Sequence, residues 1–151
     1  MSAPICLVVN PTAGGGRAGR LAPDAERALS ALGLTVRRVD TRDLDHARVL
    51  AMKAAMAGET VVTLSGDGLV GAVADVLREI PEALMGVLPG GRGNDLARVL
   101  GIPHDLAAAC EVIAHGVPQA MDLGQVGPST FVGIASAGFD SEANRILVLR
   151  R

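Results

Sequence analysis

Ile5-Cys6-Leu7-Val8-Val9-Asn10-Pro11-Thr12-Ala13-Gly14-Gly15-Gly16 decides the architecture: an unbroken apolar run, then a turn signal, then a run of glycine. A run without polar alternation reads as a strand buried on both faces, and such strands belong to parallel sheets covered by helices. The residues after the loop fit the covering helix. Leu21, Ala25, Ala28, Leu29 and Leu32 recur at helical spacing up to the stop signal Gly33, with Pro23 expected in the first turns. The unit then repeats. Residues 35–39 predict a second strand, and residues 44–57 a second helix entered through Thr41 or Asp43. Residues 60–64 predict a third strand, Val70, Val73, Ala74 and Leu77 a third helical stripe closed by Pro81, and residues 84–88 a fourth strand. Two helical stretches, 96–100 and 106–115, end at Gly101 and Gly116. Strand and helix alternating with short links imply right-handed crossovers and an α/β fold, an open parallel sheet with helices on both faces.

The pattern changes past Met121. Residues 120–126 and 130–136 are consecutive strand-like runs joined by Gly127-Pro128-Ser129 with no helix between them, so an antiparallel element is expected. The division that results is an α/β domain over 1–120 and the beginning of a β-rich second domain over 121–151, cut short. The chain stops inside an apolar run, Ile146–Leu149, and continuation of the natural product is the expectation there. The unpaired strands after Ala120 also predict self-association as a homo-oligomer through that end.

Composition narrows the function. The chain has 151 residues, enough for one domain with a real core. Its formal net charge of −2 and its two aromatic residues, Phe131 and Phe139, give nucleic acid neither a basic face nor stacking platforms. Cys6 and Cys110 lack metal-ligand or disulfide-framework spacing, which fits a reducing, cytoplasmic setting. No apolar stretch is long enough to span a membrane. Of the 19 glycines, nine fall in three clusters, and those places carry the information.

Each cluster follows a predicted strand: Asn10 to Gly19, Ser65-Gly66-Asp67-Gly68, and Pro89-Gly90-Gly91-Arg92-Gly93-Asn94-Asp95. Ligands of open parallel sheets collect beyond the carboxyl ends of the strands, and glycine lets backbone amides approach an anion. Phosphate is the natural guest. One local pattern points elsewhere. Gly14 to Gly19 matches the dinucleotide fingerprint, with Asp40 about twenty residues on, as an NAD site requires. Against it, Asn10-Pro11-Thr12-Ala13 intervene between strand and first glycine, and NAD leaves the other two loops unexplained.

Taken together the loops resemble the catalytic domain of the diacylglycerol kinase and sphingosine kinase family of lipid kinases. That family shares its three-layer fold with NAD kinases and phosphofructokinases. The resemblance is carried by Asn10-Pro11-Thr12-Ala13-Gly14, by Ser65-Gly66-Asp67-Gly68-Leu69, by Pro89 to Asp95 with Leu96-Ala97-Arg98, and by Gly138-Phe139-Asp140 after Met121-Asp122-Leu123-Gly124. It implies ATP as phosphoryl donor, Mg²⁺, and a lipid with a free hydroxyl as acceptor, with peripheral membrane contact left open. It also implies a general base and lipid pocket largely in a second, β-rich domain. Departures are Leu69 for the usual Thr, Gly71 and Ala72 for a polar pair, and Arg92 for the Thr of the third loop. An NAD kinase-like enzyme and a non-catalytic nucleotide-binding module remain the alternatives.

The residues implied in nucleotide binding are Asn10, Pro11, Thr12, Ala13, Gly14, Thr41, Ser65, Gly66, Asp67, Gly68, Arg92, Gly93, Asn94 and Asp95. Asp67 is the catalytic candidate, holding Mg²⁺ against phosphates; as a helix cap it would need no glycine on both sides. Asn94, Asp95 and Thr41 could equally be caps, and Asn10 could simply end its strand. Arg92 is the guanidinium placed to bind phosphate. His46, His104 and His115 have no carboxylate partner in the pattern and read as solvated side chains.

Overall fold

The computed structural model describes residues 3–133. Four parallel strands form the sheet: β1 (Ile5–Val9), β2 (Val36–Asp40), β3 (Thr60–Ser65) and β4 (Met85–Pro89), in the order β2-β1-β3-β4. Between them run α1 (Ala13–Ala31), α2 (Leu44–Met56) and α3 (Asp67–Leu77), and after β4 come α4 (Asp95–Val99) and α5 (Leu106–His115). A hairpin of β5 (Gly124–Val126) and β6 (Ser129–Phe131) completes the described elements.

Alternate residues of the central strands feed two cores, because successive side chains on a strand point to opposite faces. Ile5, Leu7, Val9, Val62, Leu64 and Leu88 pack against Ala18, Ala22, Ala25 and Leu29 of α1 and Ala109 and Cys110 of α5. Cys6, Val8 and Val61 pack against Ala47, Ala51 and Ala54 of α2 and Leu69, Val73 and Leu77 of α3. Small residues on these helices let them lie close on the sheet. The expected helices on both faces are therefore present, α1 and α5 on one side, α2 and α3 on the other. A third cluster of Val70, Val87, Leu96 and Ala97 seats α4 beside β4.

The connection order sets the functional geometry. From the central β1 the chain runs to β2 on one side and then crosses to β3 on the other. The helices that leave the neighbouring strands β1 and β3 therefore cover opposite faces, and a crevice opens between their first turns at the carboxyl edge.

Gly14, Gly15 and Gly16 have φ of 62°, 68° and 85°, so regular helix begins after them and Pro23 falls in its second turn, within the first turns as expected. Other expectations shift. The strands after Met121 are shorter than predicted: β5 starts at Gly124, and Ser129 belongs to β6 rather than to the turn. Residues 134–136 of the second run, Gly138-Phe139-Asp140 and Ile146–Leu149 lie outside the described residues.

Candidate functional site

The three glycine loops meet at the carboxyl edge of β1, β3 and β4, and they touch backbone to backbone. In the first, Asn10 Oδ1 accepts from Thr12 N (3.2 Å) and Thr12 Oγ1 (2.9 Å), an Asx turn that shapes the exit from β1. Gly14 comes next in the left-handed region, which makes a residue with a β-carbon costly there; a Cβ would also lie 2.6 Å from Gly90 O of the third loop. Helical backbone followed by left-handed backbone turns successive amides to one side, a concavity suited to anions.

In the second loop Gly66 is the N-cap of α3 and Asp67 its first residue. Asp67 is thus not the cap of this helix. Its carboxylate reaches another helix instead: Asp67 Oδ1 accepts from Leu96 N of α4 (3.2 Å). The other oxygen, Oδ2, lies 3.0 Å from where a Cβ on Gly93 would stand, and both oxygens of Asp95 lie within 3.7 Å of that point. Gly93 thus keeps open a gap faced by two carboxylates. Oxygen donors of this kind fit Mg²⁺, which takes one or two carboxylates and completes its octahedron with phosphate oxygens and water. Among the described residues no group of three or more metal-binding side chains gathers.

The third loop is pressed against the second. A Cβ on Gly91 would strike Gly66 Cα, so only glycine permits this approach. Gly90 N donates to Ser65 O (2.9 Å), continuing the β3–β4 ladder into the site. Arg98 Nη1 pairs with Asp95 Oδ1 (2.8 Å) while its Nη2 donates to Gly93 O (2.7 Å) and braces the loop from outside. Asn94 is buried, with 4% exposure, and its amide is turned inward onto Gly91.

Two clefts result. The first, of about 560 Å³, is lined by Asn10, Thr12, Ala13, Gly14 and Gly15 of the first loop, Ser65 to Leu69 of the second, Gly91 to Gly93 of the third, and Leu44. Its charged lining residues, among those described, are Asp67 and Arg92. The second, of about 620 Å³, runs between α3 (Asp67, Gly68, Gly71, Ala72, Asp75), Asp95 and Leu96, Arg48 of α2, and the β5–β6 hairpin. Both volumes fall within the usual range of small-molecule sites. The hairpin is fastened to α3 by Thr130 Oγ1, which donates to Asp75 Oδ1. That hydroxyl, helped by the Arg78 guanidinium, holds the Asp75 carboxyl below its ordinary range against the opposing effect of burial.

Of the residues singled out from sequence, Asn10, Thr12, Ala13, Gly14, Ser65, Gly66, Asp67, Gly68, Arg92 and Gly93 converge on the first cleft. Pro11, Thr41, Asn94 and Asp95 do not line it. Pro11 packs under Gly19, and Thr41, 6% exposed, ties β2 to β1 by donating from its N to Val9 O (2.8 Å). Asp43, the other candidate start of α2, is its cap and accepts from His46 N (2.7 Å). Asp95 faces the second cleft. His115, expected to have no carboxylate partner, lies 3.3 Å from Glu111 at the exposed end of α5, four residues apart on one helix face. Asp40, the residue an NAD site would use, is held by Arg38 through two bonds of 2.8 Å. Cys6 and Cys110 are free and buried on opposite faces of the sheet, and burial pushes both thiols up. Arg48, Asp75 and Thr130 carry no mark in the sequence pattern, because their roles depend on contacts between distant segments. The signal available for Arg98 is its place just after the third loop.

Comparison with known proteins bears on the family and the fold. A diacylglycerol kinase of Mycobacterium tuberculosis (strain CDC 1551 / Oshkosh) is 32% identical over 149 residues, covering 93% of this chain and 47% of the relative. A diacylglycerol kinase of Staphylococcus aureus (strain bovine RF122 / ET3-1) is 30% identical over 134 residues, covering 87% of this chain and 42% of the relative. The chain thus spans under half the length of either. A crystal structure of a diacylglycerol kinase from Bacillus anthracis str. Sterne superposes with a TM-score of 0.75 at 24% identity, over 85% of this chain and 45% of that one, a likeness of fold. Among the described residues no helix is long and apolar enough to cross a membrane. Residues 4–126 match the diacylglycerol kinase catalytic domain, which takes in all three glycine loops and every strand of the parallel sheet, and the chain belongs to that family.

Proposed function

We propose that this chain supplies the nucleotide-binding part of an ATP-dependent lipid kinase, which moves the γ-phosphoryl group of ATP to a lipid hydroxyl. The observation that carries the reading is that Asp67 and Gly68 line both clefts. A donor in the first and an acceptor in the second would meet there. The first cleft suits the polyphosphate: glycine-loop amides, the first turn of α3 and the Arg92 guanidinium all favour an anion, and Arg92 takes the place of the family's usual Thr. The second offers Leu96, Phe131 and Val132 to the apolar body of a lipid and the carboxylates of its lining to the hydroxyl.

In this reading the acceptor oxygen bonds to the γ-phosphorus as the bond from that phosphorus to the bridging oxygen breaks. ADP departs, and the hydroxyl proton goes to a general base expected in a second, β-rich domain. Asp67, with Asp95 facing the same gap, would hold Mg²⁺, which would supply positive charge against the phosphate oxygens. The protein's own share is orientation: glycine amides and Arg92 hold the phosphates in line, and the Leu96 N–H fixes the carboxylate plane of Asp67. The partners are therefore ATP and a diacylglycerol-like lipid, met at the surface of a membrane by a cytoplasmic protein.

The alternative of an NAD-type site is disfavoured by the engagement of Asp40 with Arg38. The test is thermal unfolding of this chain with Mg²⁺-ATP and, separately, with NAD. A ligand at a hundred times its dissociation constant adds about 2.7 kcal/mol, roughly 5–10 °C in a domain of this size. A rise with Mg²⁺-ATP alone is expected. A rise with NAD and none with Mg²⁺-ATP would overturn the proposal. Phosphate transfer to diacylglycerol in mixed micelles, assayed on the full gene product, then separates a kinase from a binding module.

A further inference from the structure

Among the described residues Asn94 alone is both buried, at 4% exposure, and of positive φ without being glycine, at 52°. It precedes α4 in the cap position, yet its side chain makes no cap hydrogen bond to that helix. Both ends of its amide go to one residue instead. Oδ1 accepts from Gly91 N (2.8 Å) and Nδ2 donates to Gly91 O (3.0 Å). The amide therefore closes a ring around the turn Gly91-Arg92-Gly93, and the α4 amide that a cap would take, Leu96 N, is left for Asp67.

We infer that Asn94 is a positioning residue for the nucleotide site: it locks the third glycine loop so that Arg92 and Gly93 face the first cleft. By leaving Leu96 N to Asp67 it also fixes the plane of that carboxylate. The inference rests on the reading of that cleft as the nucleotide site. Its physical basis is the tightness of the surroundings. Gly91 has Gly66 against it on one side, and Gly93 leaves the room that Asp67 Oδ2 occupies, so a small rotation of the turn would carry the loop into one or out of the other. A left-handed residue with a planar amide meets both needs, since Asn tolerates positive φ and can donate and accept at once.

The test uses Asn94→Gly and Asn94→Asp in this chain. Glycine keeps the left-handed backbone and removes the ring; aspartate keeps the backbone and the acceptor and loses the donor. Calorimetric titration with Mg²⁺-ATP should show affinity falling about ten-fold in Asn94→Gly, with Asn94→Asp between it and wild type. In parallel, amide hydrogen exchange at Gly91 should speed up in Asn94→Gly, much less in Asn94→Asp, while exchange in β3 stays unchanged. If wild type binds Mg²⁺-ATP and Asn94→Gly binds it equally well, the inference is overturned and the nucleotide reading stands. If wild type fails to bind, the nucleotide reading falls and the inference with it. Should Asn94→Gly not fold, the Asn94→Asp arm decides: affinity and Gly91 exchange equal to wild type would refute the lock.

Discussion

Replacing Gly14 with alanine, beside the same change at Gly15, isolates the contact that joins the first and third loops. Both residues are left-handed, with φ of 62° and 68°, so each substitution incurs the same backbone strain of about 1–2 kcal/mol. Both also gain the same small unfolded-state benefit, which cancels in the comparison. They differ in what the new methyl meets. At Gly15 the nearest atom is the end of the Arg92 side chain, 3.7 Å away and free to swing aside. At Gly14 it is the backbone oxygen of Gly90 at 2.6 Å, short of the 3.4 Å where ordinary contact begins by 3.4 − 2.6 = 0.8 Å, and no side-chain rotation relieves it. Forcing a methyl into so tight a gap costs about 1–3 kcal/mol beyond the shared strain. At roughly 2–4 °C per kcal/mol, Gly15→Ala should lower the melting temperature by about 2–8 °C and Gly14→Ala by a further ~2–12 °C. Thermal unfolding followed by far-ultraviolet circular dichroism reads both. Equal melting of the two variants would refute the close approach of the loops and the cleft built on it.

Asp67→Asn should abolish the dependence of ATP affinity on Mg²⁺ while the fold survives, because the amide keeps the acceptor for Leu96 N but loses the charge; titration calorimetry with and without Mg²⁺ measures it. Leu29→Ala, at a fully buried site between α1 and the sheet, should cost about 2–5 kcal/mol in urea unfolding. The hairpin should loosen in acid. The Asp75 carboxyl is held below its ordinary value, chiefly by Thr130, so its contribution is present above the unfolded value of about 3.9 and is lost as pH falls through the folded one. Asp75→Asn should flatten that dependence, read as the pH profile of limited proteolysis within residues 124–133, whereas an unchanged profile would contradict the latch.

Local pattern alone determined the four parallel strands and five helices, because buried β-branched runs and helical stripes are periodicities of the chain itself. Ile5–Val9 and Leu106–His115 were legible to the residue, and the bounds of β2, β3 and β4 moved by one position, as strand ends do when a neighbour such as Ser65 or Pro89 extends the ladder. The glycine loops were legible too, since glycine after a buried strand has few purposes other than tight turns and close approach. The resemblance carried by their order along the chain supplied the family.

Only the tertiary structure decided which loop residues share a cleft. Crossing from β2 over β1 to β3 places Asn10 and Asp67 on adjacent strand ends while Thr41, at the end of β2, is buried away from the cleft. Asp67 was visible as a lone acid between glycines, but its partner, Leu96 N, is 29 residues away, and nothing local specifies that pairing. Asn94 and Asp95 look alike in sequence as cap residues. Packing sends one amide inward to Gly91 and the other side chain toward the second cleft, because the loops press so closely that a single left-handed residue settles the direction of each. Periodicity records which face of an element is buried; it does not record which neighbour buries it, and the site is made of neighbours.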